Sequence, residues 1–582
     1  MTDRPRIAYA IPTLKVGQAH LIIKQGLRDL TRQALEIAEI CMASQAQRAA
    51  AYRTYGQWIE TGRATGGLAL ANLLYSHVDR LASHLFSPTD LRFAIDFENV
   101  VTPDWYDKGS VVARKVSREW ERKNIDVNFQ QGVRESLAYA ACILRQSPTV
   151  ENGLPTISSR LVMPWSFGVY NEMVTDLSDQ EAMCETIYYN KHEVWRRIRH
   201  LPEADKLYRR IMSSAQKETG AGLPTSFMHQ VLSTAVLNVS LQNATQPQPG
   251  GIVQLTNDPN FATLGPTVAA ELYPMHEISV WDDELEDYVT IQYFEPDILV
   301  APRLKKCNLC CPHVLPYTLI QANPVANYFW GRSEITDLME LQQLLTTTLD
   351  DGRRVMGQQF DKLLAFPGFD GISREMYAAF RTEGWVGMPQ GSSVTDLTPK
   401  FPQEWLPYVQ NIIQLMERVS GFSNILSGSG EPGVRAGVHA DTLMKTASPR
   451  LRDRALLLER QCAEAAETTL SIFEAKDARA TWTDAMNRET DFQIGQLPDD
   501  RRISIDSHSG SPIYHDDHQN LIAFGVKAGF IGGDTAIEQL PFNHKEILIQ
   551  RFRQMEAARA KMIQEHPELL QQHRGGGHHR AA

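Results

Sequence analysis

Residues 333–360 read SEITDLMELQQLLTTTLDDGRRVMGQQF, with an aliphatic residue at nearly every third or fourth position. This spacing predicts one helix of about 40 Å with an apolar stripe along it. Ser333 occupies the position of an N-cap, and the acidic Glu334 and Asp337 suit the positive end of a helix dipole. The stripe contains no side chain with catalytic chemistry, so it indicates a packing element. Its members are Ile335, Leu338, Leu341, Leu345 and Leu349.

The chain after this helix predicts a second helix and then a third, much longer one. Residues 361–403 have a short mixed pattern, and 404–426 return to helical spacing. A glycine-rich loop, SGSGEPGVRAG at 427–437, separates that helix from one that reaches Ala475. Pro449 lies inside the predicted third helix, where the missing backbone hydrogen bond predicts a kink.

The rest of the chain alternates between helical and mixed patterns. Residues 19–87 and the C-terminal part after 517 have helical spacing. A strand is predicted at Leu91–Phe97, and 277–281 with 288–293 predict a hairpin. Further predicted helices are 108–122, 127–144, most of 181–210, 517–528 and 543–566, and further predicted strands are 161–163, 481–483 and 502–506.

Composition excludes several broad classes. The 582 residues include 58 Lys and Arg against 69 Asp and Glu, a formal charge of −11. A protein that coats DNA neutralises phosphates with many basic residues, so this balance argues against that class. No apolar run approaches the length needed to span a bilayer, and we expect no membrane partner. Seven scattered cysteines predict a reducing cytoplasm as the place of synthesis.

Three local patterns raise the question of a ligand site. Gly428-Ser-Gly-Glu-Pro-Gly433 fits the letters of a dinucleotide fingerprint, but a helix precedes it where a strand is required. Cys307, Cys310, Cys311 and His313 resemble half of a zinc site, yet no second half follows. His515, Asp516, Asp517 and His518 open a predicted helix, where the acids serve as caps. We therefore predict no cofactor, no bound metal and no enzymatic activity.

Arginines and histidines also cluster within the predicted helix 181–210. The cluster is interleaved with acids, which indicates a solvated or subunit-facing charged surface. Its members are Arg196, Arg197, Arg199, His200, Arg209 and Arg210.

The order of these elements resembles the portal, or head-to-tail connector, proteins of tailed bacteriophages. Pro316-Tyr317, Asn323-Pro324 and Phe329-Trp-Gly-Arg-Ser-Glu334 carry the resemblance, because a similar aromatic-Gly-x-Ser stretch opens a stem helix in that family. The resemblance implies a mainly α fold with α+β parts, arranged as wing, stem, clip and crown. It divides the chain into a wing at 1–332, stem helix 333–360, clip 361–403, stem helix 404–426, tunnel loop 427–438, a long kinked helix with return to the wing at 439–510, and a helical crown with tail at 511–582.

The resemblance also implies a function. Portal proteins form a ring, commonly of twelve subunits, at one capsid vertex, and double-stranded DNA passes through its axis during packaging and ejection. The implied partners are further copies of the chain, the terminase large subunit, capsid and scaffold proteins, and head-completion, adaptor or tail proteins; the implied location is the virion, after synthesis in the bacterial cytoplasm. Residues expected to face DNA are Gly428, Gly430, Gly433, Val434, Arg435 and Gly437 in the tunnel loop, and Arg353 and Arg354 in the stem.

Two other functions remain open at this point. One is a metal-dependent hydrolase that uses His515 and His518 with Asp516 or Asp517. The other is a minor head or scaffold protein without an axial channel.

Overall fold

The computed structural model describes a chain that mixes helices and strands. The described residues are 69–89, 91–98, 103–201, 203–220, 273–282, 287–294, 298–299, 305–306, 315–360, 364–365, 395–396, 401–420, 449–483, 489–498, 500–505 and 522–528, with individual positions between 37 and 64 and between 532 and 558. They fall into two compact units. The first comprises 1–82, 132–145 and 161–450, and the second comprises 83–131, 146–160 and 451–582.

The described helices and strands follow one another in a mixed order. In the first half of the chain they are α1 Leu73–Leu85, β1 Phe93–Phe97, α2 Pro103–Arg122, α3 Ile125–Tyr139, β2 Cys142–Glu151, β3 Leu154–Val162, β4 Phe167–Val169, β5 Ala182–Tyr189, α4 Lys191–Ile198 and α5 Ala204–Gly220. Next come β6 Tyr273–Asp282, β7 Asp287–Phe294, β8 Ile298–Leu299, β9 Lys305–Lys306, β10 Tyr317–Ile320 and α6 Met339–Phe360. The last are β11 Leu364–Ala365, β12 Thr395–Asp396, α7 Trp405–Ser420, α8 Pro449–Ala475, β13 Arg479–Thr483, β14 Glu489–Gln493 and β15 Arg501–Ile505.

The first unit is built on an antiparallel sheet with the strand order β4-β5-β6-β7-β8, with β9 also paired to β7. A second sheet has the order β10-β2-β3, and Tyr317 lies directly opposite Arg145 in it. Aromatic and aliphatic side chains from strands of both sheets form one buried cluster, which includes Ile143, Phe167 and Tyr317. The core of the first unit therefore lies where these sheets meet.

A charged group is buried in this core. Glu185 of β5 and Glu277 of β6 lie opposite each other in adjacent strands, and both are almost fully buried. Arg145 forms ion pairs with both carboxylates, at 2.9 Å from Glu277. The Tyr317 hydroxyl donates to Glu185 at 2.9 Å, and Gln292 donates to Glu277 at 2.7 Å. These ion pairs and hydrogen bonds join Arg145 and Tyr317 of one sheet to the two glutamates of the other.

Burial and neighbouring charges shift the pKa values of Tyr317 and Arg145 in this group. Burial raises the pKa of Tyr317 well above the ordinary tyrosine value, so the hydroxyl stays protonated as a donor. Burial alone would lower the pKa of Arg145, but Tyr317 and the two carboxylates hold it above the ordinary arginine value. One guanidinium thus remains charged between two glutamates, and each partner depends on the others.

The second unit packs strands and helices around α8. β1 pairs antiparallel with β15, and β13 pairs with β14. Trp120 of α2 donates to Thr469 of α8 at 2.9 Å, and Thr469 donates to Gln146 at 2.8 Å. Gln146 donates in turn to the Ala465 carbonyl at 2.8 Å. This buried chain of hydrogen bonds satisfies the polar groups that α8 places in an apolar core.

An aromatic cage holds α2 against the β13–β14 hairpin of the same unit. The Lys108 ammonium lies 4.4 Å from the ring centre of Trp105, 4.9 Å from that of Trp482 and 5.8 Å from that of Phe492. A cation over several ring faces gains from each ring quadrupole, most strongly where water is excluded. The cage therefore stabilises the packing of the hairpin on α2.

Several predicted elements are confirmed. The predicted hairpin is β6–β7, with Asp282 opposite Asp287 at its closed end. The strand at 91–97 and the strand-like 481–483 and 502–506 correspond to β1, β13 and β15. The mixture of helix and strand is also as expected. The predicted division into wing, stem, clip and crown stays a prediction.

Two helix predictions are wrong in part. The helix predicted at 127–144 ends at Tyr139, because Ala140 adopts a φ of 77° and Cys142 begins β2. Most of 181–210 was predicted to be helical, yet 182–189 form β5, a strand buried on both faces that shows no alternation. Helix starts only at Asn190, whose side chain and Glu193 form a capping box.

The long third helix is described from Pro449 to Ala475. The part predicted before Pro449, and with it the predicted kink, lies outside the described residues, as does most of the predicted clip. The two described clip segments, β11 and β12, pair antiparallel.

We expect Arg145→Met to destabilise the first unit by about 3–5 kcal/mol, because two carboxylates stay buried without their cation. The triple variant Arg145→Met/Glu185→Gln/Glu277→Gln should recover a large part of that loss, because no unpaired charge remains. Urea unfolding of the three proteins measures both effects. A single variant as stable as the wild type would contradict the role given to Arg145.

Candidate functional site

A tight turn between β10 and α6 carries the motif Phe329-Trp-Gly-Arg-Ser-Glu334. Gly331 has a φ of 67°, and a Cβ there would lie 2.5 Å from the Asn323 carbonyl oxygen. The same carbonyl accepts from the Arg332 amide at 3.0 Å, and Gln321 donates to the Phe329 carbonyl at 3.0 Å. The two arms of the turn approach so closely that only glycine fits at position 331.

The aromatic side of this turn is anchored in the core. Phe329 and Trp330 are buried, and the Trp330 indole donates to Glu172 at 2.7 Å. Arg48 forms an ion pair with Glu172, and its guanidinium lies 5.2 Å from the Tyr328 ring centre and 5.3 Å from that of Trp330. Glu172 thus links an arginine and an indole, and the turn cannot rotate without breaking both contacts.

The polar side of the turn corrects the predicted cap. Ser333 has an extended backbone, but its side chain makes no capping hydrogen bond. Its hydroxyl donates to the carbonyls of Ala138 at 2.6 Å and Leu137 at 3.2 Å, at the end of α3. Ser333 therefore occupies the predicted N-cap position, but its hydroxyl does not cap the turn, because it donates to the carbonyls at the end of α3 instead. Residues 334–337 form a 3-10 turn before α6 begins.

The acid that follows Ser333 closes the turn from the helix side. Glu334 is buried and accepts from the Asn323 side chain at 2.9 Å. His77 lies 3.7 Å from its other carboxylate oxygen. The direction in which α6 leaves the core is therefore fixed by contacts on both arms of the turn.

Helix α6 then packs against α7. Trp405, the first residue of α7, donates from its indole to the Thr348 carbonyl at 3.2 Å. A Cβ at Gly352 would lie 2.5 Å from the same indole, so glycine makes room for it. Because α7 also contacts the 3-10 turn before α6, the two helices run antiparallel. The C-terminal end of α6 and the N-terminal end of α7 are connected by the segment that contains β11 and β12.

Residues from the N-terminal part of the chain hold α6 on its other side. Gln342 is fully buried, donates to the Ala71 carbonyl at 2.7 Å and accepts from the Leu73 amide at 3.1 Å. Arg63 pairs with Asp350 at 2.5 Å. These contacts, at positions 342 and 350, hold the first half of α6 to the N-terminal part of the same unit.

The apolar surface of α7 is wider than the surface that its neighbours cover. Val409, Ile412 and Met416 are buried at helical spacing. A second stripe beside them stays exposed, with Tyr408 at 48%, Leu415 at 45% and Val419 at 43%. Steps of seven and four residues place these three on one face. The apolar surface of α7 is therefore only partly covered within the chain.

The predicted site residues are only partly within the described chain. Arg353 and Arg354 lie exposed on α6, and Arg354 pairs with Asp351 at 3.1 Å. The six tunnel-loop residues lie outside the described residues, as do the Cys307–His313 and His515–His518 clusters. Within the described residues no group of three metal-binding side chains comes together.

Sequence reasoning missed most of the residues that hold the turn and the helix pair. Arg48, Glu172 and Gln342 act over long distances along the chain, and their sequence neighbourhoods carry no pattern that marks them. Gly352 did carry a signal, because a glycine inside a strongly helical stretch often marks a close approach of another chain segment.

We expect Gly331→Ala to destabilise the chain by about 2–4 kcal/mol, from backbone strain and the clash with Asn323. Gly153→Ala is the matched control, since Gly153 has a φ of 79° and open space around it. The control should cost about 1 kcal/mol, the strain alone. Equal losses in thermal unfolding would refute the close approach at Gly331.

Two glycines of α6 give a second matched pair. Gly352→Ala should destabilise the protein by about 1–3 kcal/mol, because the methyl group displaces the Trp405 indole. Gly357→Ala, where nothing lies within 4 Å, should stabilise it by up to about 1 kcal/mol through helix propensity. Circular dichroism during thermal unfolding measures both. Stabilisation by Gly352→Ala would show that the two helices do not need this contact.

No protein-family model matches the chain, and a search of curated proteins finds no significant match. Among the helices of the described ranges, none has both the length and the apolar character needed to cross a membrane.

Proposed function

We propose that this chain is the subunit of a ring similar to those of tailed-bacteriophage portal proteins, with a channel for double-stranded DNA. The observation that carries the proposal is the antiparallel pair of α6 and α7. The aromatic-Gly-x-Ser turn opens this pair, and a segment with a short β pair joins the two helices. A long helix, α8, follows in the order that the resemblance implies.

The exposed stripe on α7 supports assembly through the helix pair. Tyr408, Leu415 and Val419 lie beside the buried stripe of α7, so the apolar surface of this helix extends beyond its buried part. A second copy that packs its own helix pair against this surface would bury it. Such a contact joins two different surfaces of the chain, and it closes into a ring when the rotation per subunit divides the circle.

The charge distribution supports a channel in which DNA slides. Affinity for DNA grows with each phosphate that a protein neutralises, so a densely basic lining would retain the duplex. The chain is acidic overall, with a formal charge of −11. We assign Arg353 and Arg354 on α6, with Arg435 and its neighbouring loop residues, as the sparse positive contacts along the axis.

The proposal includes partners and a location. A separate ATPase, the terminase large subunit, would dock near the 361–403 segment and supply the energy of packaging. Capsid, scaffold and head-completion or tail proteins would bind other parts of the ring within the virion. The chain itself has no catalytic role in this scheme.

Oligomeric mass and negative-stain images of the purified full chain test the proposal. We expect a closed ring with a central hole, and twelve subunits would match the implied family. Leu415→Glu should shift the mass towards monomers by at least tenfold in the assembly midpoint, on the order of 1.4 kcal/mol or more, because a charge enters the apolar contact. Gln410→Glu adds the same charge to another exposed face of α7 and should assemble normally.

The alternatives give different results in the same preparation. A monomer with stoichiometric bound metal and hydrolytic turnover would replace the ring by an enzyme. Assemblies without a central hole would indicate a scaffold or minor head protein. Equal assembly of the Leu415→Glu and Gln410→Glu variants would refute the proposed contact on α7.

A further inference from the structure

The helices α4 and α5 form a basic surface on the otherwise acidic chain. Residues 191–210 contain seven Lys and Arg against three Asp and Glu, a formal charge of +4. Because the whole chain has −11, the remaining residues together carry −15. All ten of these charged side chains are exposed. This segment therefore carries a net positive charge, whereas the rest of the chain is net negative.

The two helices that carry this surface pack on the large sheet of the first unit. Val194 and Ile198 of α4 and Ile211 of α5 are buried in one cluster with Met275 and Phe294. The capping box at Asn190 fixes the start of α4. The buried side of the two helices thus fixes the backbone from which the basic side chains project.

An aromatic pair lies at the contact of the two helices. Trp195 of α4 and Tyr208 of α5 meet edge to face, with ring centres 5.5 Å apart. Trp195 is 37% exposed although it is the largest side chain of either helix. A tryptophan left in water at a charged surface is a feature of binding surfaces, since burial elsewhere would have stabilised the fold.

Basic residues flank this pair along the chain. Trp195, Arg196 and Arg199 follow His192 at spacings of three, four and seven residues, which places them on the same side of α4 and its C-cap. Arg209 follows Tyr208 on α5 and is exposed. Arg197 has a different role, because it donates to the Tyr189 hydroxyl at 3.1 Å and stacks on that ring.

We propose that this basic surface, defined by Arg196, Arg199, Arg209 and Trp195, binds the phosphate backbone of nucleic acid. Each guanidinium presents a planar fork of donors that fits phosphate oxygens. The exposed indole supplies an apolar contact to the sugar face or to an exposed base. The described residues of α4 and α5 include no element placed to read base edges, so we expect binding that is independent of sequence.

Nucleic acid fits these residues better than an acidic protein does. Five of the seven basic side chains are arginines, the residue with the geometry for bidentate contacts to phosphate. The acids within the patch, Glu193, Glu203 and Asp205, leave a moderate net charge. Such a surface binds a dense polyanion at low salt and releases it as counterions compete. The binding does not require the ring of the proposed function.

Fluorescence anisotropy with a short labelled duplex, titrated at several salt concentrations, tests the proposal. The test variant is Arg196→Gln/Arg199→Gln/Arg209→Gln, which keeps side-chain length and helix propensity. The matched control, Arg114→Gln/Arg118→Gln/Arg460→Gln, removes the same charge from exposed positions elsewhere. We expect the test variant to lose at least about tenfold in affinity at low salt, and its salt slope to fall by about 0.9 per arginine in contact.

Two further measurements complete the test, one with a lysine variant and one with an acidic polypeptide. The variant Arg196→Lys/Arg199→Lys/Arg209→Lys should keep the salt slope of the wild type, because the charge remains. Polyglutamate of matched charge should bind at least tenfold more weakly than the duplex. Equal losses in the test and control variants, or polyglutamate that binds as well as DNA through the same arginines, would overturn the proposal. The mass of each variant, measured in parallel, reports ring formation separately.

Discussion

The buried guanidinium of Arg145 is the contact on which the first unit depends. It lies between Glu185 and Glu277 on one sheet and beside Tyr317 on the other. An ion pair of this kind contributes little over an apolar core of equal volume, but it permits only one arrangement of its partners. A slip of one residue in β5, β6 or β10 would bury an unpaired charge, so the group fixes the register of both sheets.

That register determines where the helix pair begins. Tyr317 opens β10, the chain turns at Gly331 eleven residues after the end of that strand, and α6 starts at Met339. Glu172 and Ser333 then bind this turn to two other parts of the unit. Each of these contacts fixes the position of a few residues, and together they determine where the helices lie relative to the core. The direction of α6 is therefore a property of the sheets.

The sequence predicted the elements that carry their own local signal. The β6–β7 hairpin has alternating apolar residues, and α6 has a stripe of leucines, so both could be placed from pattern alone. β2 and β5 have nearly continuous buried runs, such as Cys142-Ile-Leu144, and periodicity cannot separate such strands from helices. The pairing of β1 with β15 joins residues from opposite ends of the chain, and nothing local to either strand specifies it.

The candidate site divides in the same way. The motif at 329–334 could be recognised from its letters, but the reason for its glycine lies in the Asn323 carbonyl, and the reason for its serine lies in α3. The proposed function also depends on a feature that the sequence pattern does not show, namely which apolar residues of α7 are buried. A helix whose apolar side chains are all buried within one chain needs no partner. In α7, Val409, Ile412 and Met416 are buried. Tyr408, Leu415 and Val419 of the same helix are exposed to water. Three such side chains on one face add an apolar patch whose burial is favourable at about 25 cal/mol per Å². Burial of this patch by a second copy of the helix pair is the contact that the proposed ring requires.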